Sequence, residues 1–183
     1  MLANLRALFG VVLDIVLLRR GPEQLPASPA LLGCLVVLSV IGVGLMSLVL
    51  PVSLPVALGQ GIVEALVALL WFRTALAAAG KQERFLQTMT ALFAVEVLLR
   101  PIMIPLWGAL APFIVKADPN APPPAALSLI FMFLGIWALV VYVRILRLAF
   151  EWPWFLAFLL LVGEFCAVVL VLSLLFGAAP GPT

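Results

Sequence analysis

Histidine is absent from this chain of 183 residues, and with it go the usual ligand for haem, zinc or copper and the commonest side chain for proton transfer near neutral pH. Cysteine is scarce. Cys34 and Cys166 lie in apolar runs without CxxC spacing and read as unpaired core thiols. Charge is scarce too, at 10% of residues, and the net charge of +2 is too small and too scattered for a nucleic-acid surface. Nor does the chain contain a GxSxG elbow, a phosphate-cradling glycine loop or an HExxH pair. These absences point away from an enzyme, a bound cofactor, a metal centre and a nucleic-acid partner.

What the chain has is apolar length. Hydrophobic residues make up 66% of it, in runs long enough to cross a bilayer. Five runs, at about 29–50, 55–78, 85–107, 125–143 and 153–177, predict an all-α polytopic membrane helix bundle. The turn between Pro51 and Pro55 is very short. Pro112, Pro119 and the three prolines at 122–124 mark an extended loop, and Pro153 suits the first turn of the fifth span. A short tail, 178–183, follows the last run.

Lys and Arg favour cytoplasmic loops, and a five-span order puts Arg6, Arg19, Arg20, Arg73, Lys81, Arg84, Arg144 and Arg147 on one side, with Lys116 alone opposite. The expected topology is an N-terminus inside and a C-terminus outside a prokaryotic inner membrane. Trp71, Tyr142, Trp152 and Trp154 near the inner ends and Trp107 near an outer end suit interfacial belts, while Trp137 lies deeper. Residues 1–28 resemble a signal peptide only at first, because Arg19 and Arg20 close the run with no small-x-small cleavage site after them. Arg6, Gly10 and Asp14 share one side at spacings of four, which predicts an amphipathic helix either lying in the headgroup layer or packed on the spans.

Four ionisable residues lie deep in the runs: Glu64, Glu96, Arg100 and Glu164. At 1.5 Å per residue Glu64 is roughly 14 Å in from Pro55, and Glu96 and Glu164 are each roughly 16 Å in from the starts of their runs. Half of a hydrocarbon core about 30 Å thick is about 15 Å, so all three glutamates fall near the midplane. Arg100 stands one turn after Glu96, in register for an ion pair within the helix. Glu64 and Glu164 are then left without a cation. They are protonated, or face a cation or wet cavity, or meet a basic residue of a partner chain.

Ala57, Gly61, Ala65 and Ala68 make a face of small residues beside Glu64, suited to close helix packing within the chain or between chains. Pro101 and Pro105 follow Arg100 and predict a kink or break there. Arg19, Arg20, Arg73, Lys81, Arg84, Arg144 and Arg147 compose a basic cytoplasmic rim able to meet lipid phosphates or an acidic partner. No repeat relates the halves.

The span order, the turn Gly80-Lys81-Gln82-Glu83-Arg84-Phe85-Leu86-Gln87-Thr88 and the Ile136-Trp137 step together resemble the Yip-domain family of five-span membrane proteins. That resemblance implies a non-enzymatic protein that organises membrane or a multi-protein assembly, with no catalytic residues to transfer. The expected role is an interaction or accessory subunit, joined to other membrane subunits or to copies of itself. The competing expectation is a small transporter or proton- or cation-conducting component that uses the midplane glutamates.

Overall fold

The computed structural model describes residues 2–115 and 123–177, with side chains described over 6–113 and 123–177. Among these residues there is helix and no strand: α1 (Leu2–Val16), α2 (Pro29–Leu45), α3 (Leu54–Ala78), α4 (Phe85–Val115), α5 (Ala125–Phe150) and α6 (Trp154–Phe176), with short 3-10 turns between some of them. Five helices, α2 to α6, are long and apolar enough to cross a membrane. Their outer faces carry exposed Leu, Ile, Val and Phe in quantity, and only 6% of the most apolar window of α5 is buried within the protein. Such a surface would be an aggregation hazard in water and is the ordinary exterior of a bundle in lipid. The polytopic helix bundle expected from composition is the fold observed.

The helices pair in the spatial order α2, α3, α6, α5, α4, and α4 returns to α2, which closes a ring of five. Close approach is built from small residues. A Cβ placed on Gly61 would lie 2.9 Å from Cβ of Val43, and Ala57, Gly61 and Ala65 are all buried. The small-residue face beside Glu64 is thus spent inside the chain, largely against α2. Across the ring, Trp71 lies against Gly163 and its Nε1 donates to the Leu160 carbonyl at 3.2 Å, joining α3 to α6. Trp71 is therefore a packing residue, where a belt position was expected. Trp154, 64% exposed at the first residue of α6, keeps the geometry expected of a belt.

Helix ends differ from the expected span limits for identifiable reasons. The Ser28 hydroxyl accepts from the Leu31 N–H at 3.3 Å and Pro29 supplies the pre-set first turn, so α2 starts as the sequence indicates. Pro153 sits one residue before α6 as its extended N-cap, not inside its first turn. Helix α4 is neither broken at Pro101 and Pro105 nor ended before Pro112, and contains all three. In a bilayer core the neighbouring backbone groups have no water to turn to, which favours helix on both sides of each proline. Helix α5 likewise passes through Arg144 and Arg147 to Phe150, and basic side chains in a last turn complement the helix dipole. The expected loop around Lys116 and Pro119 and the tail 178–183 lie outside the described residues.

Helix α1 buries Val12, Ile15 and Val16 in the common core and packs against α4 and α5. Phe9, Leu13 and Leu17 form its outer apolar stripe, and Arg6 and Gly10 are exposed. Cys34 and Cys166 are free but exposed on the outer surface, which corrects their reading as core thiols. An apolar run in a spanning helix does not distinguish a core position from a lipid-facing one.

The end of the bundle carrying the α3–α4 and α5–α6 turns is tied by ions. Helix α3 stops where the Gly80 N–H donates to the Ala77 carbonyl at 3.0 Å and the Lys81 N–H to the Leu76 carbonyl at 2.8 Å, with Gly80 at φ 68°. Lys81 and Arg84 are thereby presented to Glu151, which pairs with both, at 2.6 Å for Arg84. Arg84 also donates to the carbonyls of Leu148 and Ala149 at 3.1 and 3.2 Å, satisfying the end of α5. Hydrogen bonds from Lys81 and then Arg84 hold the exposed Glu151 carboxyl below its ordinary value of 4.5. A depressed acid contributes its stability above the unfolded value and loses it as pH falls through the folded one. Melting of the solubilised protein should therefore show Glu151→Gln less stable than the parent at pH 7, with the gap narrowing as pH falls from 4.5 through the lowered folded value. A gap of the same size at every pH would show that the clasp does not depend on the carboxylate.

Candidate functional site

Each helix of the ring contributes polar atoms or walls to one central cavity of about 270 Å³. It is lined by Ser39 from α2, Glu64 from α3, Glu96 and Arg100 from α4, Tyr142 from α5 and Glu164 from α6, among apolar residues such as Phe72 and Phe93. All four ionisable residues singled out in the sequence meet there. Shared depth alone did not require this; the ring order, which sets α6 beside α3, brings Glu164 to the same space as Glu64.

The geometry divides the four unequally. Glu96 and Arg100 pair directly along α4, as their spacing of four predicts, with side chains 22% and 17% exposed. The Ser39 hydroxyl donates to Glu96 Oε1 at 2.7 Å, so the pair is tied to α2. The stem of Arg100 crosses α2 at Gly42, where an added Cβ would collide with Arg100 Cδ. Only a residue without a side chain leaves that passage open. Glu64 and Glu164, by contrast, have neither an ion-pair nor a hydrogen-bond partner among the described residues. Arg100 faces Glu64 across the cavity as an opposite charge without pairing with it directly, so one guanidinium stands among three carboxyl groups.

Two lining residues escaped the sequence reading. Ser39, buried in the interior, looked like a lone small polar residue in an apolar run, and its signal is the depth it shares with Glu96 on a neighbouring helix. Tyr142 was assigned to an interfacial belt from its place near the end of a run. It lines the cavity instead, because α5 continues to Phe150 and puts Tyr142 two turns inside its end.

The basic rim is less open than its composition indicates. Arg20 pairs with Asp14 at 3.0 Å, Lys81 and Arg84 are taken by Glu151, and the Arg73 guanidinium lies 5.8 Å from the centre of the Phe85 ring. Arg144 and Arg147 line a groove on the outer side of α5 and α6, away from the cavity.

Chemically, the cavity presents three carboxyl groups, one guanidinium, a hydroxyl and a phenol among apolar walls. Among the described residues no three Asp, Glu, His or Cys side chains converge as metal ligands do. A cavity of this size and polarity has room for several waters, or for an ammonium group with part of its hydration. Glu164 is also one wall of an outer groove with Gly135, Ala138, Tyr142 and Phe165, so the space borders the membrane between α5 and α6. No family model, curated protein or solved structure matches the chain, so the reading of the site rests on its own geometry.

Proposed function

We propose that the chain is a non-enzymatic integral membrane protein that binds a small cationic solute or hydrated cation in its central cavity, as a small transporter or cation-conducting component. One observation carries this reading: three carboxyl groups and a single guanidinium line one half-open cavity to which all five spanning helices contribute. Ionisable groups facing a bundle interior at this depth mark solute and ion paths, and the surplus of acid selects for positive charge. We place it in a prokaryotic inner membrane, and its biased basic residues favour cytoplasmic α3–α4 and α5–α6 turns, with the N-terminus inside and the C-terminus outside.

A second reading, an accessory subunit of a membrane assembly, draws on the outer groove. There Glu164 borders Gly135, whose surface is open for 4 Å around, and Ala138. Small residues of that kind admit a partner helix, and a basic residue on such a helix would balance Glu164. This reading agrees with the Yip-domain resemblance of the turn and the span order.

The test is reconstitution of the purified chain alone in liposomes, with currents or uptake measured for potassium, methylammonium and tetramethylammonium gradients. Transport of one of these by the chain alone is the expected result. Absence of flux for all three, together with recovery of a stoichiometric membrane partner from mild detergent, would replace the first reading by the second.

A further inference from the structure

A second groove, of about 440 Å³, lies on the outer side of the bundle between the end of α5 and the start of α6. Its apolar walls include Leu139, Val140 and Phe158, and towards the α5–α6 turn it carries Arg144, Arg147 and Trp154. Leu139 is roughly 16 Å from the last residue of α5 at 1.5 Å per residue, and half of a hydrocarbon core is about 15 Å. The α5 wall of the groove, Leu139 to Arg147, is roughly 12 Å long, most of the depth of one leaflet. Its two arginines are successive on the helix face, three residues apart, roughly 9 and 4.5 Å from the helix end.

Those arginines differ from most basic residues of the bundle. Arg20, Lys81, Arg84 and Arg100 each have an acidic partner, whereas Arg144 and Arg147 have none among the described residues. Long basic side chains at this depth lay their stems along apolar surface and raise their heads to the headgroup layer. Trp154, at the adjoining helix start, sits where indole rings meet that layer. Two guanidiniums without an ion pair among the described residues, Arg147 with the exposed Glu151 nearby but already paired to Lys81 and Arg84, stand above an apolar slot and complement a ligand with an anionic head and a hydrocarbon tail.

We infer that this groove is a binding site for an anionic phospholipid, its phosphate held between Arg144 and Arg147 and an acyl chain lying along Leu139, Val140 and Phe158. The site is separate from the central cavity and does not depend on what that cavity carries.

Native mass spectrometry of the full chain, released from a neutral detergent with dioleoyl-phosphatidylglycerol or dioleoyl-phosphatidylcholine added back, tests it. Phosphatidylglycerol should be retained at least tenfold more tightly than phosphatidylcholine of the same chains. Each of Arg144→Gln and Arg147→Gln should weaken it about fivefold, and the double variant about twenty-fivefold. Val140→Trp, which fills the tail slot without touching charge, should weaken it as well, while Arg19→Gln should not. Circular dichroism melts establish that the variants remain folded. Equal retention of the two lipids, or unchanged retention by the double variant, would overturn the site. Full competition by millimolar inorganic phosphate would overturn the lipid assignment in favour of a simple anion site. Displacement of lipid by a second copy of the chain, seen as a lipid-free dimer, would overturn it in favour of self-association.

Discussion

Replacing Arg100 by leucine is expected to cost up to about 3 kcal/mol of stability, the lower end for breaking a buried ion pair from one side, since this pair is half-buried. The reason is the neighbourhood. Glu96 would keep only the Ser39 hydroxyl, and the cavity would hold three carboxyl groups and no cation. Glu96→Leu with Arg100→Leu should recover most of the loss, since a matched apolar pair leaves neither charge stranded and suits the surrounding helices. Ser39→Ala should be mild by comparison, about 0.6 kcal/mol, the usual size of a hydrogen bond between spanning helices. Gly42→Leu should behave more like Arg100→Leu, because its side chain would claim the space of the arginine stem. Unfolding of each variant in mixed micelles, followed by circular dichroism against denaturing detergent, gives the ranking. If the double variant is as unstable as Arg100→Leu alone, the ion pair is not what holds α4 against α2.

Much of the architecture was readable before any coordinates because lipid makes hydropathy decisive. A run such as the one in α6 has few alternatives to a spanning helix, and the solvent leaves the backbone no other way to satisfy itself. The pairing of Glu96 with Arg100 was readable for a similar reason, being local to one helix. The sequence was silent on whatever depended on rotation about a helix axis. Cys34 and Cys166 face outward and Tyr142 faces inward, yet all three lie among apolar neighbours that look alike from every side. In a soluble helix a polar face would have fixed the rotation; in lipid both faces are apolar and the clue is lost. Helix ends were misjudged where a residue acts against its usual habit. Pro101, Pro105 and Pro112 continue inside α4, and Arg144 and Arg147 belong to the last turns of α5 instead of to a loop. The convergence of Glu64 and Glu164 needed the ring order, in which the second and last spans are neighbours, and no local pattern specifies that order.

The largest functional effect is expected from removing the surplus charge that the ion pair leaves over. Once ionised, a carboxylate about 8 Å from a bound cation contributes about 2 kcal/mol at an effective dielectric of about 20, or about thirtyfold in affinity. Glu64→Gln and Glu164→Gln should each weaken cation binding by about that factor, and the double variant by about a thousandfold. Glutamine keeps the volume and the hydrogen-bonding capacity of each side chain, so the cavity walls and the Glu96–Arg100 pair are left in place. Glu83→Gln provides the matching control, as it removes one acid from the turn between α3 and α4 without touching the cavity. Uptake by liposomes containing each variant, scaled to the amount of folded protein, is the measurement. Loss in the double variant with retention in Glu83→Gln is the expected pattern. Equal uptake by the parent and the double variant would mean that any path through this protein does not use the charge at its centre. The two carboxyl groups would then answer to a partner chain, and Glu164, which borders the outer groove, would be the one a basic partner helix reaches first.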